Sequence, residues 1–255
     1  MILIHGFNNS EQAAAQSYQD FRVMLRSALS LRNEESLGIF WEFHWPGDHP
    51  TSKLTSALTY TARIGDSERS GERLAELLDH LGPTQEVTLI AHSLGCRVAL
   101  ESVHWVNGPR YCHGARIRDV FLLAAAVPAS QCEPGRPFQG SYFDPEHIFW
   151  SRKDKTLRRY FKAGGVLYHA NERDDAVGRC GRPTIRWNTA TRTDLDHGEY
   201  WKSYTVAKRI GWIMGERSRR LIPDRSYVSN GQTMSALKIS DRSIPERILP
   251  ERRGV

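Results

Sequence analysis

A chain of 255 residues is long enough for one large α/β domain built around a single core. With 40% hydrophobic residues and a mean hydropathy of -0.51 it reads as a globular protein, and its longest apolar runs, such as Val120–Val127, are too short to span a bilayer. The net charge of +6 is uneven: residues 216–255 hold nine Lys/Arg against five Asp/Glu, which puts +4 in the tail and makes it a solvated basic extension, with no nucleic-acid partner expected.

The N-terminus, Met1-Ile2-Leu3-Ile4-His5, has neither a charged start nor a long apolar stretch, so no signal peptide is expected. Met1–Ile4 is an apolar run suited to a buried parallel strand. His5-Gly6-Phe7-Asn8-Asn9-Ser10 follows as a loop that ends in a helix cap. Ala13–Leu31 then carries Tyr18, Phe21, Leu25 and Leu29 at helical spacing. Gly38–Trp45 is a second strand, closed by Pro46-Gly47, and Ser52–Leu81 is mostly helical, with Gly65 or Gly71 as candidate breaks.

Glu86–Ile90 is a third strand and Leu94–Val106 its helix. Between them stands Ala91-His92-Ser93-Leu94-Gly95, a serine flanked by small residues at minus two and plus two. This is the layout of a nucleophile elbow, a strand–turn–helix that lifts a serine hydroxyl out of the sheet. Such a turn leaves little room for side chains two residues either side; Gly95 meets that demand fully and Ala91 nearly.

Asp119–Ala124 and Glu146–Trp150 are the fourth and fifth strands, Asp154–Tyr160 a short helix, Pro183–Asn188 a sixth strand, and Tyr200–Met214 a closing helix. From Ile222 the pattern dissolves into Pro, Ser and Arg, with no assignable element. The chain therefore divides into a domain over 1–220 and a basic C-terminal extension over 221–255. Strands alternating with helices imply a mostly parallel sheet with helices on both faces, and ligands in such sheets bind beyond the carboxyl ends of the strands.

A serine hydroxyl is a weak nucleophile unless a base takes its proton, an acid orients the base, and donors receive the oxyanion. In an elbow fold the chain order is Ser, then Asp or Glu, then His. Ser93 comes first; Asp154 follows the fifth strand in Ser151-Arg152-Lys153-Asp154; His197 comes last, before the closing helix. Asp144, Asp174 and Asp175 compete for the acid, and His169 for the base. His92 and His5 are read as packing and hydrogen-bonding residues. The oxyanion donors would be the amides of Leu94 and Phe7, the second following a His-Gly pair.

These segments resemble the α/β-hydrolase superfamily, and within it a bacterial group of serine hydrolases of poorly defined function. The resemblance rests on His5-Gly6-Phe7-Asn8, Trp45-Pro46, Ala91-His92-Ser93-Leu94-Gly95, Trp150-Ser151-Arg152-Lys153-Asp154 and Asp196-His197-Gly198-Glu199-Tyr200, and covers roughly residues 1–214. It implies Ser93 as nucleophile, Asp154 as acid and His197 as base. The sequence begins directly on the His-Gly strand, without the two strands that usually precede it, so either a minimal version of the fold or a longer chain whose N-terminal part is missing from this sequence is expected. At the end of the fourth strand Ala124-Ala125-Ala126 stands where relatives often place an Asp.

The expected activity is hydrolysis of a small-molecule ester or related acyl substrate through an acyl-enzyme on Ser93. The alternative is a catalytically inactive member of the fold used for binding or scaffolding. Neither His44 with His49 nor Cys112 with His113 has zinc-site spacing, so no metal is expected, and the chemistry needs no cofactor. The four cysteines, Cys96, Cys112, Cys132 and Cys180, contain no C-x-x-C pair and fit a reducing, cytoplasmic location. Pocket walls are expected from 46–58 and 126–146, neither of which carries a specificity motif, and nothing in the sequence sets the oligomeric state.

Overall fold

A computed structural model describes residues 1–30, 38–47, 56–111, 113–133, 135–138, 146–161, 175–181, 189–221 and 237–240. Among the described residues seven strands form one sheet in the order β6-β5-β4-β3-β1-β2-β7, and every pairing between them is parallel. They are β1 (Ile2–Ile4), β2 (Trp41–His44), β3 (Glu86–His92), β4 (Arg116–Leu123), β5 (Glu146–Trp150), β6 (Thr189–Arg192) and β7 (Leu237–Ser240). The helices are α1 (Glu11–Ala28), α2 (Ser56–His80), α3 (Gly95–Val106), the single turn α4 (Val177–Cys180) and α5 (Tyr204–Leu221).

The central strands are buried along their length: β1 completely, and β3 at every residue after Glu86. That is why they read as continuous apolar runs rather than as alternating patterns. α1 packs against α5 and α2 against α3, so two helical pairs flank the sheet in an α/β-hydrolase architecture. Ser10 caps α1, its hydroxyl accepting from the Ala13 amide at 3.3 Å. Ala14, Tyr18, Phe21 and Leu25 form the buried face of α1. Leu29 lies outside it as the C-cap, because the helix stops at Ala28 and Ser30 turns to φ 54°.

Other boundaries differ from the sequence reading. β3 runs two residues further than its apolar run and ends on His92, beside the serine. α2 is continuous from Ser56 to His80, unbroken at Gly65 and Gly71. The sixth strand is Thr189–Arg192; the expected range, 183–188, lies outside the described residues. Leu237–Ser240 forms an edge strand on β2, although the sequence shows no element there. Four residues among Ser, Pro and Arg are too few to make a period visible; the unpaired backbone groups of β2 provide the template.

Because the sheet is parallel, the segments after β1, β3, β4, β5 and β6 all emerge at one edge. His5–Phe7, Ser93, Ala124–Ala126, Ser151–Asp154 and Thr193–His197 follow those strands directly. Among the described residues no helix is long and apolar enough to cross a membrane.

Candidate active site

Ser93 occupies the one-residue turn between β3 and the α3 N-cap Leu94, and its φ is 55°. A non-glycine residue in this left-handed region carries strain of about 1–3 kcal/mol and persists only where its surroundings over-determine it. Here its amide donates to the Leu123 carbonyl at 2.9 Å, and its own carbonyl accepts from Ala126 at 3.1 Å. The turn is therefore clamped to the end of β4. Gly95 is required by β1: a Cβ there would overlap the His5 carbonyl oxygen and come within 2.9 Å of the Ile4 carbonyl oxygen.

Three side chains from three loops meet at this turn. The Ser93 hydroxyl lies 2.8 Å from Nε2 of His197, and Nδ1 of the same ring lies 2.7 Å from Oδ2 of Asp154. A carboxylate accepts, so Nδ1 carries the proton and Nε2 presents its lone pair to the serine O–H. The other Asp154 oxygen accepts from the Leu157 amide at 2.8 Å, supplied by the turn that opens into the π-helix Leu157–Phe161. Asp154 is fully buried, Ser93 nearly so, and His197 partly open. The competing residues Asp144, Asp174 and His169 lie outside the described residues; Asp175 pairs instead with Arg179 at 2.8 Å.

The loop after β1 is tied down beside the serine. The Trp45 amide donates to His5 Nε2 at 3.3 Å, so His5 bears its proton on Nδ1 and donates to the Gly6 carbonyl at 2.8 Å. The Trp45 indole N–H returns a bond to the His5 carbonyl at 2.8 Å, and the two rings stack. Asn9 reaches back to the Gly6 and Phe7 carbonyls. His5 is thus a structural tie, as its sequence context suggests. Leu94 opens α3, where amides have no intrahelical acceptor.

One contact was invisible in the sequence. His92, the last residue of β3, lies with Nε2 2.7 Å from the main-chain carbonyl of His197, a partner 105 residues away. Only the adjacency of His92 to Ser93 hinted at a role. Among the described residues no group of three or more His, Cys, Asp or Glu side chains is placed to hold a metal ion.

A parallel sheet flanked by helices, with a serine on a strained strand–helix turn, defines an α/β-hydrolase. The chain belongs to the family described as alpha/beta hydrolase of unknown function (DUF900), whose model matches residues 1–162. It is similar to a solved structure from Xanthomonas campestris pv. campestris ascribed to the α/β-hydrolase superfamily. That match has 16% identity and a TM-score of 0.45, and covers 84% of this chain and 97% of that one. No curated protein matches the sequence.

Proposed function

We propose that the protein is a serine hydrolase that cleaves carboxylic esters or related acyl substrates through an acyl-enzyme on Ser93. The reading rests on one observation above all: the hydrogen-bonded series Ser93–His197–Asp154, at 2.8 and 2.7 Å, on a serine held at φ 55°. In this mechanism His197 Nε2 takes the Ser93 proton as Oγ attacks the carbonyl carbon. The oxyanion is received by the amides of Leu94 and Phe7. His197 then gives its proton to the departing alcohol oxygen as the C–O bond breaks. A water, deprotonated by His197, attacks the acyl carbon, and His197 returns that proton to Ser93 Oγ as the Oγ–acyl bond breaks and the acid leaves. Asp154 stays ionised throughout, holding the Nδ1–H tautomer and stabilising the imidazolium.

The reaction calls for no cofactor. The test is turnover of p-nitrophenyl esters of graded chain length, together with labelling by a fluorophosphonate. Wild type should hydrolyse esters and be labelled at Ser93. Ser93→Ala should lose both, retaining at most about 10³-fold catalysis over water from oxyanion stabilisation. Wild-type turnover in Ser93→Ala, or an unlabelled and inactive wild type, sinks the proposal.

A further inference from the structure

We propose that His92 is a positioning residue for His197: its Nε2–H grips the His197 main-chain carbonyl and so sets the base at the right height over Ser93. The inference rests on the hydrolase reading above.

The hydrogen bond fixes the state of the ring. A carbonyl oxygen can only accept, so at 2.7 Å His92 Nε2 must carry the proton and Nδ1 must be bare. The bare nitrogen is buried, has no hydrogen-bond partner among the described residues, and faces Gly6, where a Cβ would stand 3.1 Å away. A second proton on Nδ1 would have no acceptor and would place a cation 4.9 Å, between ring centroids, from the His197 ring. Burial first, and His197 next, accordingly hold the His92 pKa down at about 3, so the ring stays a neutral donor.

The placement explains why such a tie is needed. The His197 ring makes two hydrogen bonds, to Ser93 and Asp154, but its loop is otherwise anchored on the Asp154 side. There the Lys155 amide donates to Asp196 Oδ1, and Asp196 also accepts from the His197 amide. The Asp196 amide bonds the exposed Glu199 side chain. His92 holds the loop on the serine side. Because His92 and Ser93 are consecutive, serine and base are referenced to the same rigid strand end. Tyr200 and Trp201 flank the His92 ring at 6.1 and 6.0 Å between centroids and restrict its rotation. A misplacement of a catalytic base by ~1 Å is enough to cost about 10²-fold in rate.

Two substitutions and one spectrum decide the matter. His92→Gln keeps an N–H near the position of Nε2; His92→Met keeps the bulk and removes the donor. With p-nitrophenyl butyrate, His92→Met should lower kcat by about 10–100-fold with KM within about twofold, and His92→Gln should recover to within about fivefold of wild type. In ¹⁵N NMR of imidazole-labelled wild type, His92 should be protonated on Nε2 and bare on Nδ1. The downfield proton of His197 Nδ1 should be present in wild type and His92→Gln and lost in His92→Met. The proposal is overturned if folded His92→Met keeps wild-type kcat and the downfield proton. It is equally overturned if folded His92→Gln is as slow as His92→Met, or if wild-type His92 carries its proton on Nδ1. Should wild type neither hydrolyse esters nor react with a fluorophosphonate, the hydrolase reading fails, while the NMR of wild type and the variants still decides whether His92 positions His197.

Discussion

Gly6 and Ser93 are in direct contact: a Cβ on Gly6 would come within 2.8 Å of the Ser93 Cβ and 3.2 Å of the His92 carbonyl oxygen. The glycine before the expected oxyanion donor Phe7 is thus needed for the close approach of the elbow itself. Gly6→Ala must push the serine turn or the β1 loop outward, and neither is free to move. Ester turnover should drop by at least about 10²-fold, and stability by about 1–3 kcal/mol. Steady-state kinetics and urea denaturation check the two halves; an alanine variant with wild-type values in both would refute the contact.

Asp154→Asn should leave the fold intact, since the Leu157 amide keeps its acceptor in the amide oxygen. The side-chain N–H₂ would then face His197 Nδ1 and favour the wrong tautomer. We expect kcat to fall by about 10⁴-fold under the proposed mechanism. Loss of less than about tenfold would show that another carboxylate orients the imidazole.

Glu101, on α3, gives a pH signature unrelated to the site. Burial raises its carboxyl from 4.5 to about 7, opposed by Arg97 and reinforced by Glu68 and Glu72. Across that interval the folded state holds a proton that the unfolded chain has released. Stability therefore falls as pH rises through the window, and the full penalty is present above it. The loss should be on the order of 1–2 kcal/mol after allowance for its partial exposure. Glu101→Gln should flatten this limb and be more stable than wild type at about pH 8. Denaturant midpoints measured from about pH 5 to 8 test it; a wild-type limb that persists in the variant would assign the effect elsewhere.

Truncation after Leu221 removes β7 and leaves the edge of β2 unpaired. The site lies at the ends of β1, β3, β5 and β6, so β2 separates it from β7. Turnover per fluorophosphonate-titratable site should stay within a few-fold, while light scattering on mild heating should reveal earlier aggregation through the open edge. A monomeric truncated protein that has lost activity would show that residues beyond 221 help to build the site.

Much of this protein is legible in its sequence because the responsible forces are local. Buried parallel strands must be apolar along their whole length, so β1 and β3 announce themselves. Ser10 before Glu11 marks a helix start because a hydroxyl there satisfies an orphan amide. The small residues around Ser93 signal a turn too tight for side chains. The family resemblance is carried by these same short segments.

What the sequence by itself left open are relations between distant loops. Asp154, Asp144 and Asp174 are alike as carboxylates; that Asp154 faces His197 across 43 residues follows from β5 lying two strands from β3 and β6 next to β5. The partner of His92, 105 residues on, and the reason Gly95 must be glycine, the His5 carbonyl, are likewise matters of which loops the parallel sheet gathers at one edge. The strand at Leu237–Ser240 belongs with them: a four-residue edge strand has little propensity of its own and is set by the hydrogen-bonding groups of the strand it joins.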